Sequence, residues 1–123
     1  MGTWGSGNFE NDGALDYVGS IIVELRSRIE RCLADEDAVA LDEEGEAVVV
    51  PSVQIIALLC EHCKAAPPEA SVVARWKDEY FAVFDEQIDS LEPKPGFKER
   101  RRAVILATFD HLEKEATEFW SRV

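Results

Sequence analysis

The sequence predicts an all-α fold: a single-domain bundle of about four helices, with an ordered glycine-rich N-terminal segment and a short extended strap before the second helix. Three observations carry this expectation. Apolar residues recur at spacings of three and four along most of the chain. Pro67-Pro68 and Pro93-Lys94-Pro95-Gly96 punctuate the pattern. The β-branched triplet Val48-Val49-Val50 has no obvious second strand to pair with. At 123 residues the chain is one domain's worth, able to bury roughly two thirds of its unfolded surface without a metal or disulfide framework.

The stretch from Met1 to Asp16 is the first element. Gly5 and Gly7 are expected to bend the backbone so that Trp4 and Phe9 turn toward the core, while Asn11 or Asp12 caps the helix behind them. That helix is marked between Gly13 and Leu33 by Ala14, Val18, Ile21, Ile22, Leu25, Ile29 and Cys32, with charged residues elsewhere. Next, Asp35 to Glu46 packs seven acids into twelve positions, and no Lys or Arg occurs from Leu33 to Cys63. Such a run reads as a solvated crossover.

Val48-Val49-Val50 precedes Pro51, which biases Val50 toward extended geometry and gives the strap. Ser52 then serves as N-cap for a short buried helix from Val53 to Lys64. Past Pro67-Pro68, a third helix carries Val73, Trp76, Tyr80, Phe81, Phe84, Ile88 and Leu91 at helical spacing. The last helix presents Phe97, Arg101, Val104, Ile105, Thr108, Leu112, Ala116, Phe119, Trp120 and Val123 on one side, with a docked C-terminus expected. Short Pro-bearing connections make the second, third and fourth helices sequential antiparallel neighbours.

Acids outnumber bases 25 to 13, a net charge of -12, which argues against a nucleic-acid partner and favours a basic protein partner. Three cysteines do not make a secreted disulfide scaffold, and neither a signal-peptide core nor an apolar run of transmembrane length is evident, so cytoplasmic residence without a membrane partner is expected. Met1-Gly2-Thr3-Trp4-Gly5-Ser6 fits the loose N-myristoylation template, but no polybasic second signal accompanies it, and a tucked turn is the preferred reading.

Among chemistry-bearing residues, Cys60-Glu61-His62-Cys63 places two cysteines at i, i+3, yet Cys32 and His111 are each alone, short of two ligand pairs for zinc. Core cysteines are favoured over a metal or redox site. His62 and His111, the two histidines, flank no activated nucleophile. Lys98-Glu99-Arg100-Arg101-Arg102 opposes the dipole at the start of the last helix, so compensation is expected from the acidic crossover, with a phosphate-bearing ligand as the alternative. Trp76, Tyr80, Phe81 and Phe84, joined by Trp120, read as core rather than as a cofactor pocket. No catalytic, cofactor-binding or metal-ligating set is assigned. Two candidate sites remain: a ligand or structural cluster of Asn11, Asp12, Asp16 and Arg101, and a partner-binding set of Asp42, Glu43, Glu44 and Glu46.

The opening pattern Trp4-Gly5-x-Gly7-x-Phe9-x-Asn11-Asp12-x-Ala14-x-Asp16 resembles the N-terminal signature of the bacterial proteins grouped as domain of unknown function 4259. Val50-Pro51, Trp76-Lys77-x-x-Tyr80, Ile88-Asp89-x-Leu91-Glu92-Pro93, Lys98-x-Arg100-Arg101-x-Ala103-Val104 and Thr108-Phe109-Asp110 look like its actinobacterial-type members. The resemblance implies a small bacterial cytoplasmic protein and supplies no reaction, cofactor or catalytic residue. The leading expectation is a non-enzymatic, protein-binding module, immunity or antitoxin-like, steered by its acidic crossover. The alternative is an enzyme or small-ligand binder with a site between the N-terminal loop and the start of the last helix; a homodimer formed through an exposed apolar face is a third.

Overall fold

The computed structural model describes residues 2–122, so Met1, the start of the acylation template, and Val123, assigned to the last apolar stripe, lie outside the described residues. These residues form α1 (Asp12–Leu33), α2 (Val50–Cys63), α3 (Ala70–Gln87) and α4 (Phe97–Trp120). A π-helical turn at Gly45–Val49 leads into α2, and a 3-10 turn at Ile88–Leu91 follows α3.

Helix α1 starts where its chemistry directs: Asn11 is extended, and its Oδ1 accepts from the Ala14 N–H at 2.8 Å. Ahead of it, the N-terminal segment doubles back. Trp4 N–H donates to Glu10 O at 3.0 Å, Asp12 N–H donates to Gly2 O, and Thr3 bridges Asn11 antiparallel. The glycines serve close approach, not the unusual backbone angles expected of them. A Cβ on Gly5 would lie 1.4 Å from Glu10 Oε2, and one on Gly7 would lie 2.8 Å from Glu10 Oε1. The loop thus closes around a carboxylate instead of an indole. Trp4 is 54% exposed, contrary to the anchor expected, whereas Phe9 packs against the core.

The expected strap before the second helix is not extended. Residues 45–49 are π-helical, and Val50 before the proline has φ −65° and ψ −47°, continuing into α2. Burial overrides the local preference of the valines, because Val49, Val50 and Val53 are all enclosed in the core and no strand partner exists for an extended segment. Pro51 lies at the start of α2, directly after the π turn. Ser52 is therefore inside the helix and buried, not at its cap. Joined by the π turn, Gly45–Cys63 is a 19-residue apolar helix, long and apolar enough to cross a membrane, contrary to the expectation of no apolar run of that length. Its inner side packs on α1 and α4.

The packing order also differs from sequential neighbours. Helix α4 lies against both α2 and α3, while α2 packs mainly on α1 and α4. The connection from Lys64 to Glu69 is non-helical and partly buried through Ala65, Pro67 and Pro68, and Trp120 Nε1 donates to the carbonyls of Pro67 and Pro68, both at 3.2 Å. It carries the chain past the end of α4 instead of folding α3 back on α2. Within the core, Phe109 on α4 meets the rings of Tyr80 and Phe81 on α3, with centroids 6.1 and 6.2 Å away. The expected α4 stripe holds at Ile105, Leu112 and Ala116, all fully buried, but Phe109 joins it while Val104 is 53% exposed.

Candidate functional site

The acidic crossover is not a loose loop. Val39 and Leu41 are buried, Leu41 N–H donates to Gln87 Oε1 at 3.0 Å, and Asp35 Oδ1 accepts from the Asp37 and Ala38 N–H groups at 2.9 and 3.2 Å. Gly45 closes it so tightly that an added Cβ would sit 2.2 Å from Val39 O. The apolar side chains thus turn inward and the carboxylates outward. Glu36, Asp37, Asp42, Glu43 and Gln87 surround a shallow depression of about 660 Å³.

Of the partner-binding candidates, Asp42, Glu43 and Glu44 are exposed on this crossover, and Glu46 is turned inward. Glu46 Oε1 accepts from Arg101 Nε at 2.9 Å, and its Oε2 accepts from Arg101 Nη2 and from the Tyr80 hydroxyl, both at 2.7 Å. Burial alone would raise the Glu46 pKa, but the hydrogen bonds from Arg101 and Tyr80 and the guanidinium charge outweigh it and hold the carboxyl below its usual value. Burial and the same carboxylate push the Tyr80 hydroxyl up, keeping it a neutral donor. This three-membered strut joins the π turn, α3 and α4. The Glu46–Arg101 pair is the compensation expected from the acidic crossover for the basic cluster; the part of Tyr80 in it was not legible in sequence.

Arg101 is thereby held in a different hydrogen-bond set from the residues grouped with it. Asn11 is the α1 cap, Asp12 lies in its first turn, and Asp16 is exposed on the same helix. Two more members of the basic cluster are paired within the chain: Lys98 with Asp89 at 3.0 Å and Arg102 with Asp85 at 3.1 Å, its guanidinium 4.5 Å from the Phe81 ring centroid. In the Cys60–Cys63 stretch, Cys32 and Cys60 are buried and Cys63 partly so, while Glu61 Oε2 is 2.9 Å from His111 Nε2 across α2 and α4. No group of three or more His, Cys, Asp or Glu placed to hold a metal occurs among the described residues. Ile55 and Leu58 leave an apolar stripe exposed on α2.

The model of a family described as a domain of unknown function, DUF4259, matches residues 2–122. The chain belongs to the DUF4259 family. No curated protein and no solved structure matches it. For a DUF4259 chain the outward carboxylates and the inward Glu46 strut are thus the geometry from which function must be argued.

Proposed function

We propose that this protein is a non-catalytic, protein-binding module, immunity or antitoxin-like, whose acidic crossover receives a basic partner. One observation carries the reading: Asp35, Glu36, Asp37, Asp42, Glu43 and Glu44 form no ion pair with Lys, Arg or His among the described residues. On α1, α3 and α4 unpaired carboxylates such as Asp16, Asp78, Glu86 and Glu115 are interspersed with paired ones, Glu24, Glu30, Glu79, Asp85, Asp110 and Glu113, whereas on the crossover the unpaired ones stand together. Six unmatched carboxylates held close together on a clamped backbone repel one another, and a cationic surface relieves that repulsion on docking. The clamp supplies preorganisation, so little loop entropy is lost on binding. Charge steering acts mainly on the association rate and weakens with salt.

The test begins with capture of partners from the native host and their identification by mass spectrometry. Association of the purified partner is then measured with wild type and with the triple variant Asp42→Asn, Glu43→Gln, Glu44→Gln. Glu46 is left intact because of its internal role. The variant is expected to associate about tenfold more slowly at low salt, with the difference shrinking as salt rises. Equal association rates at low salt would sink the proposal.

A further inference from the structure

The opposite end of α2 from the acidic crossover holds a second feature. Helices α2 and α4 run in the same direction, as the Glu46–Arg101 pair near their starts and the Glu61–His111 contact further along show, so both finish at one end of the bundle. Between these ends lies a cavity of about 440 Å³, within the size range of small-ligand sites, about 300–1,000 Å³. Cys60, Ala65 and Pro67 give it a buried floor, and Phe119, set edge-on to Trp120 at 4.9 Å, forms a wall.

Its charges are unevenly committed. Glu61 bonds His111, and Lys64, held at φ 57° beyond the end of α2, gives its ammonium to Glu10 Oε1 at 3.2 Å. Arg122 also lines the cavity, beyond the end of α4. Glu115 is half-buried there without a hydrogen bond or ion pair to any described residue. Burial, with the Glu115 charge adding to it, pushes the Cys60 thiol up to about 12, so this part of the floor is uncharged; Glu115 lines the same cavity. Two helix C-termini, each equivalent to roughly half a negative charge, face the same space, and the last turn of α4 carries no basic side chain. With the carboxylates Glu61, Glu115 and Glu118 set against Lys64 and Arg122, and Lys64 already given to Glu10, the lining keeps an excess of negative charge over its apolar floor.

We propose that this cavity binds a small organic cation, an ammonium or guanidinium on a short apolar stem, with Glu115 as counter-ion and Phe119 and Pro67 covering the stem. Charge alone would draw cations to the acidic crossover as well; the apolar floor is what selects a stem-bearing amine here. The cation can be a free amine or the side chain of a peptide, and the two sources are separable by probe.

The test is an amide-resolved NMR titration at low salt with n-butylamine, with 1-butanol as the uncharged control and Nα-acetyl-lysine methylamide as the peptide-borne cation. Saturable shifts at Cys60, Ala65 and Phe119 with the amine, absent with the alcohol, are expected. Glu115→Gln, checked for an unchanged fold by its amide spectrum, should weaken binding about tenfold. Binding of the capped lysine alongside the amine extends the site to peptide side chains; binding of the amine alone confines it to free ligands. Shifts limited to residues 35–44, or equal affinity in the folded Glu115→Gln variant, would overturn the proposal. Because the triple crossover variant leaves this cavity untouched, its failure and the failure of the partner reading are read separately.

Discussion

Glu46→Ala tests the internal strut most directly. Glu46 accepts three hydrogen bonds, two from Arg101 and one from Tyr80, and its side chain is 25% exposed. Removing it strands the hydroxyl of Tyr80, a residue with no exposed surface, at a cost of about 1–3 kcal/mol for an unsatisfied buried group. Arg101, 24% exposed at its side chain, can recover part of its hydration, so its lost pair is discounted to about 1 kcal/mol. The sum is about 3 kcal/mol, or roughly 10 °C in Tm for a domain of this size. Thermal melts by circular dichroism at neutral pH measure it directly.

The same strut sets a pH dependence whose sign is fixed. The Glu46 pKa is depressed in the folded state from its ordinary value of 4.5, so its stabilisation is fully present above 4.5 and is lost as pH falls through the lower folded value. The gap between wild type and Glu46→Ala should therefore narrow as pH is taken below 4.5. A Tm loss under about 3 °C at neutral pH, or a gap that does not change on acidification, would refute the reasoning.

Gly5→Ala should force the Glu10 carboxylate from its place and loosen its bond to Lys64, lowering stability by up to about 1 kcal/mol in urea unfolding. Removing the residues before Glu10 should destabilise further, since it deletes the whole backbone pairing of that segment. Phe109→Ala empties a fully buried site between α3 and α4, and a loss of about 3–5 kcal/mol is expected by calorimetry, whereas Val104→Ala on the exposed side should change stability by under about 0.5 kcal/mol.

The helical class was readable because the periodicity of Val18, Ile22 and Ile29, or of Val73, Trp76, Tyr80 and Phe84, matches a buried helix face, and those residues are buried. Residues 45–50 were misread for a reason that acts at a distance. The β-branched valines and the following proline favour extension locally, and it is the enclosure of Val49 and Val50 by α1 and the rest of α2 that makes them helical. Trp4 was misplaced because hydrophobicity suggests burial, while the loop is organised by Glu10, one of the clustered carboxylates at the start of α1 that the sequence offered for loop bracing. For the candidate sites, exposure of Asp42, Glu43 and Glu44 follows from charge, but the inward turn of Glu46 depends on Tyr80 and Arg101, 34 and 55 residues away.

The place of α4 between α2 and α3 carries a consequence for how the chain acquires its structure. Of the four helices, α4 is synthesised after the other three, and it is the one that covers Tyr80 and Phe81 with Phe109 and seals the Pro67-Pro68 connection with Trp120. Until α4 has emerged, the aromatic face of α3 has no cover, and α2 lacks one of its two main neighbours. Folding of this bundle during synthesis therefore waits for α4, leaving the apolar α2 and α3 faces open to chaperones or to wrong partners in the interval.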